Sequence, residues 1–514
     1  MAVAAAPRTV PSAPARHVAP GALGLRAAFL FAVAAAYALL GFQLVLGLHA
    51  TAPDAIDRLA HASLVWHGAP AKLAVLGFAV PPLPSLALLP FALPAGLASS
   101  LAALPLFGAL CGGVTVVALD RALARCGLRA ERRGPLVALF ALNPLVAFQF
   151  TTGTPAALEL AALAVTLRGL VGWGASADPR ALLGAGAGLA ALVLTRYELG
   201  AWALIAGLLV AAALAAQGAP GDEIEGSTTA LWAPPVAALA VFTLLAALIA
   251  GSPFGWVGDA WRAGSPAGLG AADAARHLGE LAVQGFPLAF LAVGALLLAR
   301  GARRDAVSAG LAALVAAGAA IAALHAYAAD SAGPLALRAA PALLLAALVG
   351  AGWAMRSDAA SRTALWWATL ALLAIGGATA WRALEHYPIQ SGERAWARAL
   401  RTGTDQRTTA DAQAIARRIR AAAPARGRVL ADESGAGAAI LLSERPAAFL
   451  TRDGADGDRW RLAARAPAGR VDYLLAARGD AVDRARPGLV DGRDHGALVI
   501  ATAGPYVLAR VVGP

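Results

Sequence analysis

Apolar residues run along this chain in blocks, and most blocks are long enough to cross a bilayer. The first covers residues 22–48 and is followed by a polar stretch over 51–72. A second block, 82–119, exceeds one simple span. Its Pro90, Pro94 and Pro105 predict a broken or re-entrant start before a full helix. Further blocks follow at 135–150, 155–171, 182–194, 200–215, 231–250, 281–298, 307–324, 334–353 and 365–380. Together they predict an α-helical polytopic membrane protein with a bundle of about eleven transmembrane helices.

The polar interruptions orient the bundle. Arg121, Arg125, Arg129, Arg132 and Arg133 crowd into one short loop, and the loops bearing Arg300, Arg303 and Arg304, then Arg356 and Arg362, return to the same side. Arginine-rich short loops stay in the cytoplasm. On that basis residues 1–21 are a disordered cytoplasmic tail, the first helix is an uncleaved signal anchor, and everything past Trp381 lies outside. The expected location is a bacterial inner (cytoplasmic) membrane, crossed many times.

After Trp381 the pattern changes. Residues 410–423 carry apolar positions at helical spacing, and short strand-like runs appear at 428–431, 439–442 and 471–475. The runs 497–502 and 506–512 flank Ala503-Gly504-Pro505 and read as a hairpin. Residues 22–381 are thus the membrane domain, and 382–514 form an extracytoplasmic α/β domain of ordinary size.

Composition agrees with this division. Of 514 residues, 59% are hydrophobic and 14% charged, against roughly a quarter charged in soluble domains. The net charge of +11 does not indicate nucleic acid. Its arginines sit in short loops without the interleaved aromatics that a single-strand binder needs. Lys72 is the sole lysine. Cys111 falls in an apolar run and Cys126 in a basic loop, which argues against a disulfide framework.

Candidate chemistry gathers on the outer side. The first outer loop contains Asp54, Asp57, Arg58, His61, His67 and Lys72. A helix near 52–68 would align Asp54, Asp57, Arg58 and His61 on one stripe, with Ile56, Leu59, Ala60 and Leu64 on another face. That is the pattern of an interfacial helix with its apolar side in the lipid boundary. The same spacing also fits a solvated helix carrying an Asp54–Arg58 pair worth a few tenths of a kcal/mol. Arg196-Tyr197-Glu198 interrupts an apolar stretch, where a charge costs a few kcal/mol unless paired or wetted. A binding site and a turn with mutually neutralising charges both account for it. Arg338, near the start of its block, has the same character, and His325, Tyr327 and Asp330 are expected at the same vestibule. No metal-ligand spacing, phosphate loop or nucleotide fingerprint stands out.

The order of these features resembles the C superfamily of polyprenyl-phosphate-dependent glycosyltransferases (GT-C). The likeness rests on Asp54-Ala55-Ile56-Asp57-Arg58 followed by Gly77-Phe78-Ala79-Val80-Pro81-Pro82-Leu83-Pro84, on Asn143-Pro144-Leu145 leading into Thr152-Gly153-Thr154-Pro155, and on Leu194-Thr195-Arg196-Tyr197-Glu198. Many such enzymes carry an acid in the second outer loop; this chain has none until Glu159. The resemblance implies transfer of a sugar from a lipid-linked donor to an envelope glycan, lipid or protein, with Asp54 or Asp57 as general base. Arg196, Arg338 and Lys72 would attend the donor phosphate, and Arg58, His61, Tyr197, Glu198 and His325 would bind substrate. No metal site is indicated, although the resemblance leaves a divalent metal open. Two other readings compete, a secondary transporter and a non-catalytic envelope scaffold. Charges gathered at one end of the bundle, without an internal repeat, favour an interfacial enzyme over a transporter.

Overall fold

The computed structural model describes residues 20–69, 71, 73–76, 81–254, 287–303, 306–328, 332–356, 359–386, 391–452 and 457–512. Lys72 and the segment Gly77–Val80 lie outside the described residues. Helix α1 (Pro20–Phe42) ends in a π-helical turn, Gln43–Gly47, and leads into α2 (Pro53–His67). The proline-rich second block breaks as its pattern predicts, into α3 (Leu83–Ala92), α4 (Ala95–Ser99) and the long α5 (Ala103–Arg125).

The next block, expected as one helix, is two. Helices α6 (Ala130–Ala141) and α7 (Pro144–Thr152) meet at a 65° bend. Asn143 causes the break: its side-chain oxygen accepts from the Leu145 amide at 3.0 Å, and Pro144 occupies the first helical position. The rest of the membrane domain is α8 (Pro155–Ser176), α9 (Pro179–Thr195), α10 (Gly200–Ala216), α11 (Gly221–Ala250), α12 (Pro287–Arg303), α13 (Ala306–Ala328), α14 (Ala332–Ala354) and α15 (Ala359–His386). Asp222 and Glu223 sit in the first turn of α11, where the helix dipole favours acids.

Among the described residues, five helices are long and apolar enough to span a bilayer, or six when the bent pair counts as one. The other apolar helices are shorter. Helices α9 and α10 have 17 residues each, about 25 Å of rise, less than a hydrocarbon core of about 30 Å.

The basic loops share one pole. Arg133 Nε donates to Asp120 Oδ1 at 2.5 Å, and Trp366 Nε1 donates to the Arg132 carbonyl at 2.9 Å. A Cβ at Gly174 would lie 3.0 Å from Trp353 and 3.1 Å from Val307, so the end of α8, the start of α13 and the end of α14 meet at that pole.

The tail domain sits at the opposite pole. It comprises α16 (Ser391–Thr402), α17 (Ala410–Ala422), β1 (Val429–Ala431), α18 (Glu433–Leu442), β2 (Phe449–Thr451), α19 (Gly457–Arg465), β3 (Tyr473–Ala477), α20 (Ala481–Ala485), β4 (Ala497–Ala503) and β5 (Tyr506–Val511). The sheet order is β2-β1-β3-β5-β4, with β2, β1 and β3 parallel and β5 and β4 forming the expected antiparallel hairpin. Alternation along the strands gives two faces. Leu430, Leu450, Leu474 and Ala509 pack with Trp460 and Ala463 of α19, whereas Val429, Phe449, Leu475 and Leu508 join a core continuous with the membrane helices.

The run 439–442, expected as a strand, is the C-terminal half of α18. Asp432 starts that helix by accepting from the Ser434 amide at 3.2 Å. A short, fully buried apolar run has no periodicity that separates helix from strand.

Candidate active site

Helix α2 links the two domains. Pro53 sets its first turn, Asp54 complements its N-terminal dipole, and it is wedged between α18 above and α3, α4 and α5 below. Ile56, Leu59, Ala60 and Leu64 are all buried in the protein core. The expectation that this face lies in lipid is therefore corrected: it packs on protein, because the tail domain covers the helix.

The tail is fastened to the loop before α2. Gln406 donates its amide to the Leu48 carbonyl at 2.8 Å, the Thr51 and Thr408 hydroxyls bond at 2.7 Å, and His49 Nδ1 meets Asp405 Oδ1 at 2.9 Å. On the bundle side Trp396 Nε1 donates to Thr151 Oγ1 at 2.8 Å.

The polar stripe of α2 forms as the spacing predicts, and its members face different neighbours. Asp57 is directed at α18, where a Cβ on Gly437 would come within 2.8 Å of Asp57 Oδ1. Burial, then the adjacent Asp54 carboxylate, pushes the Asp57 carboxyl up to about 7 against the opposing pull of Arg58. Arg58 Nη1 donates to the Pro81 carbonyl at 2.9 Å. Burial holds its guanidinium below the usual range, opposed by Asp54, Asp57 and the Tyr197 phenol. His61 Nδ1 donates to the Asp57 carbonyl at 2.7 Å, and burial keeps its imidazole below the ordinary range.

The second group of charges lies within the bundle. Arg196 ends α9, and the 3-10 turn Tyr197–Leu199 joins it to α10. Arg196 Nη1 meets Glu159 Oε2 at 3.3 Å, the two side chains being 19% and 4% exposed. Glu159 sits one turn into α8. It lines, with Arg196, Leu163, Leu192, Leu199 and Trp202, a narrow cleft of about 20 Å³ between α8, α9, α10, α13 and α14. Tyr197 lies near enough to Arg58 of α2 for the two to act on each other electrostatically.

The structure thus brings Asp54, Asp57, Arg58, His61 and Tyr197 to one pole and puts Arg196 beside it. Glu198 belongs to the 3-10 turn, His325 to α13 and Arg338 to α14; their side chains, like Lys72, lie outside the described residues. Glu159 and Trp202 were not expected as site residues. The signal for Glu159 was present, as the first acid after Pro155; Trp202 gave none.

Among the described residues no group of three or more His, Cys, Asp or Glu is arranged to hold a metal. Two further buried acids are structural caps. Asp432 Oδ2 accepts from the Ala481 amide, and Asp480 accepts from the Ala477 and Asp483 amides, each at 2.7 Å. They fill the crevice at the carboxyl ends of β1 and β3, the usual ligand position of such sheets.

No family model and no curated protein matches the chain. Solved structures do. The archaeal oligosaccharyltransferase AglB from Archaeoglobus fulgidus, in complex with an inhibitory peptide and a dolichol-phosphate, superposes over 88% of this chain and 70% of its own. Its TM-score is only 0.46 at 11% identity, too low to carry weight. ArnT from Cupriavidus metallidurans, bound to undecaprenyl phosphate, superposes over 97% of this chain and 100% of its own, with a TM-score of 0.56 at 13% identity. The chain therefore shares the fold of ArnT over 97% of its length, a likeness of fold.

Proposed function

We propose that the chain is a membrane glycosyltransferase that moves a sugar from a polyprenyl-phosphate donor to an envelope acceptor. The work would be done at the extracytoplasmic face of a bacterial inner membrane, with the N-terminus in the cytoplasm and about eleven spans. The observation that carries this reading is the convergence of the α2 carboxylates with Arg58 and the turn at Tyr197, in a fold shared with a protein bound to undecaprenyl phosphate.

Asp54 is the general base. Asp57 is directed at Gly437 of the tail, which leaves Asp54 as the carboxylate for the acceptor and Asp57 as the group that tunes it. The acceptor hydroxyl gives its proton to Asp54 while its oxygen bonds to the anomeric carbon. The bond from that carbon to the phosphate oxygen breaks, and the lipid phosphate departs with the electron pair. One displacement inverts the configuration. A positioned base contributes about two to four decades of rate. Cations stabilise the leaving phosphate; Arg196, Arg338 and Lys72 are the candidates, and arginine can bond two phosphate oxygens at once. Arg58, His61, Tyr197, Glu198 and His325 orient the sugars.

Sugar transfer by the full chain in proteoliposomes, from a polyprenyl-phosphate-linked donor, tests the reading. Full activity in both Asp54→Asn and Asp57→Asn would sink it. A scaffold of the same fold is the second reading, supported by the Glu159–Arg196 pair, which already neutralises Arg196. Absence of transfer from the wild-type chain with a panel of lipid-linked sugars would favour the scaffold.

A further inference from the structure

Asp432 and Asp480 fill the crevice at the carboxyl ends of β1 and β3, but the opposite end of the sheet is open. There the last turn of α17, the loop after α19, the start of β3 and the end of β5 enclose a groove of about 370 Å³. Sites for small molecules run from about 300 to about 1,000 Å³. Ala422, Ala423 and Gly469 give the groove walls of small side chains, and Asp472, Tyr473 and Arg510 supply its chemistry.

One arginine fixes the acid of the groove. Arg428, just before β1, donates from Nε to Asp472 Oδ2 at 3.0 Å and from Nη2 to Oδ1, while its Nη1 donates to the Gly469 and Arg470 carbonyls at 3.2 and 3.0 Å. A single planar fork thus holds the carboxylate and the loop beside it. Those bonds keep the Asp472 carboxyl below the usual range against partial burial, and the charges of Arg428 and Arg510 add to the pull. Asp472 is still 44% exposed, so its remaining lone pairs can accept from a ligand. Arg510 lies directly opposite Tyr473 in the β3–β5 ladder, on the same face. Neither the Arg510 guanidinium nor the Tyr473 hydroxyl has a hydrogen-bond partner among the described residues.

This set of groups selects its occupant by charge. A metal cation would face Arg428 and Arg510, and an anion would face Asp472; like charges set against one another oppose binding. A large apolar ligand needs apolar walls, whereas the largest side chains here are those of Tyr473 and Arg510. A saccharide is uncharged and dense in hydroxyls that both donate and accept. It is matched by a carboxylate that accepts, a guanidinium that donates and a phenol that does both.

We propose that this groove binds an uncharged segment of an envelope polysaccharide, with Asp472 accepting from its hydroxyls, Arg510 donating to them and Tyr473 bonding alongside. The groove is separate from α2. Tyr473 pairs with Arg510 at one end of the β3–β5 ladder and Ala477 with Tyr506 at the other, where Tyr506 lies within electrostatic reach of Asp57. The strands put about 13 Å between those two ends, so the tail grips glycan at a distance from the α2 carboxylates. The choice of an envelope glycan rests on the transferase reading; the match to an uncharged saccharide rests on the groove alone.

The test is binding of the full chain in nanodiscs to immobilised oligosaccharides of neutral hexoses and pentoses, beside uronic-acid oligosaccharides and a heparin fragment, with empty nanodiscs as the blank. A neutral oligosaccharide is expected to bind. Arg510→Ala should weaken it about tenfold, as loss of a hydrogen bond from a charged group does. Asp472→Asn keeps the shape and removes the charge, and should also cost about tenfold; Tyr473→Phe should cost about threefold. Arg510 is exposed, so its truncation spares the fold, and thermal unfolding of each variant verifies this. Three results would overturn the assignment: no neutral oligosaccharide bound, unchanged affinity in folded Arg510→Ala and Asp472→Asn, or tighter binding of the acidic oligosaccharides than of the neutral ones. Any of these together with normal sugar transfer removes the groove and spares the transferase. Arg510-dependent binding of a neutral glycan by a chain that transfers no sugar does the reverse.

Discussion

The charges on α2 and the charges inside the bundle solve opposite problems. On α2, Asp54, Asp57, Arg58 and His61 follow one another on a single helix enclosed by the tail, and burial, followed by the Asp54 carboxylate, raises Asp57 to about 7. In the bundle, Glu159 and Arg196 come from helices 37 positions apart and meet as opposite charges. The first arrangement leaves the Asp57 proton exchangeable near neutral pH beside Asp54. The second fixes both charges, as a low-dielectric environment demands. Neighbouring groups of charge thus differ in kind, one exchanging a proton and the other holding a fixed ion pair.

The largest expected effects break the comparison outright. Asp54→Asn should lower sugar transfer by about two to four decades with little change in lipid affinity, whereas Asp57→Asn should retain most of the rate. Radiolabelled transfer and lipid binding on the same preparations distinguish the two. Next, Glu159→Leu should destabilise the membrane domain by roughly 3 kcal/mol, since it leaves a largely buried guanidinium without its acid. The double variant Glu159→Leu/Arg196→Leu should recover much of that loss. Equal unfolding temperatures for wild type and Glu159→Leu in detergent would show that the pair is not the anchor described here.

How much of this was legible in sequence differs between the two groups. The α2 stripe was readable because its residues are local: Pro53, Asp54 and the spacing to His61 specify the helix and its polar face. What covers its apolar face was not, because Ile56 and Leu59 look alike under lipid and under protein. The partner of Arg196 was likewise out of reach, since adjacent Glu198 was the only acid that spacing could offer and Glu159 arrives through the packing of α8 on α9. The hairpin near Gly504 was plain from its turn residues. Strand β2, three residues long, was too short to register, and α18 was misread because its apolar C-terminal half lacks a polar face.

A smaller effect sharpens the role of the tail. Gly437→Ala puts a methyl group against Asp57 Oδ1. It should loosen the contact between α18 and α2 at a cost of about 1–3 kcal/mol, as overpacking does, and should raise susceptibility to proteolysis between the membrane domain and the tail. An unaltered digestion pattern would mean that the two helices adjust freely.

The smallest effect is a pH dependence. Asp57 binds its proton more tightly in the folded chain than an ordinary carboxyl does, so it makes stability fall as pH rises from about 4 to about 7. His61, whose folded value is depressed, acts in the opposite direction, with stability rising up to about pH 6.5. The charged and titratable groups around them are Asp54, Arg58, Asp432 and Tyr506. Asp57→Asn removes the first contribution, so the variant should gain on the wild type as pH is raised from 5 to about 8. Parallel curves of unfolding temperature against pH would exclude that role.

The central claim is that Asp54, on α2, takes the acceptor proton. It is tested most directly by sugar transfer in proteoliposomes with the wild type and with Asp54→Asn, at matched lipid-donor occupancy. The structure leads to a loss of at least about a hundredfold with donor binding intact. Transfer at the wild-type rate by Asp54→Asn would contradict it.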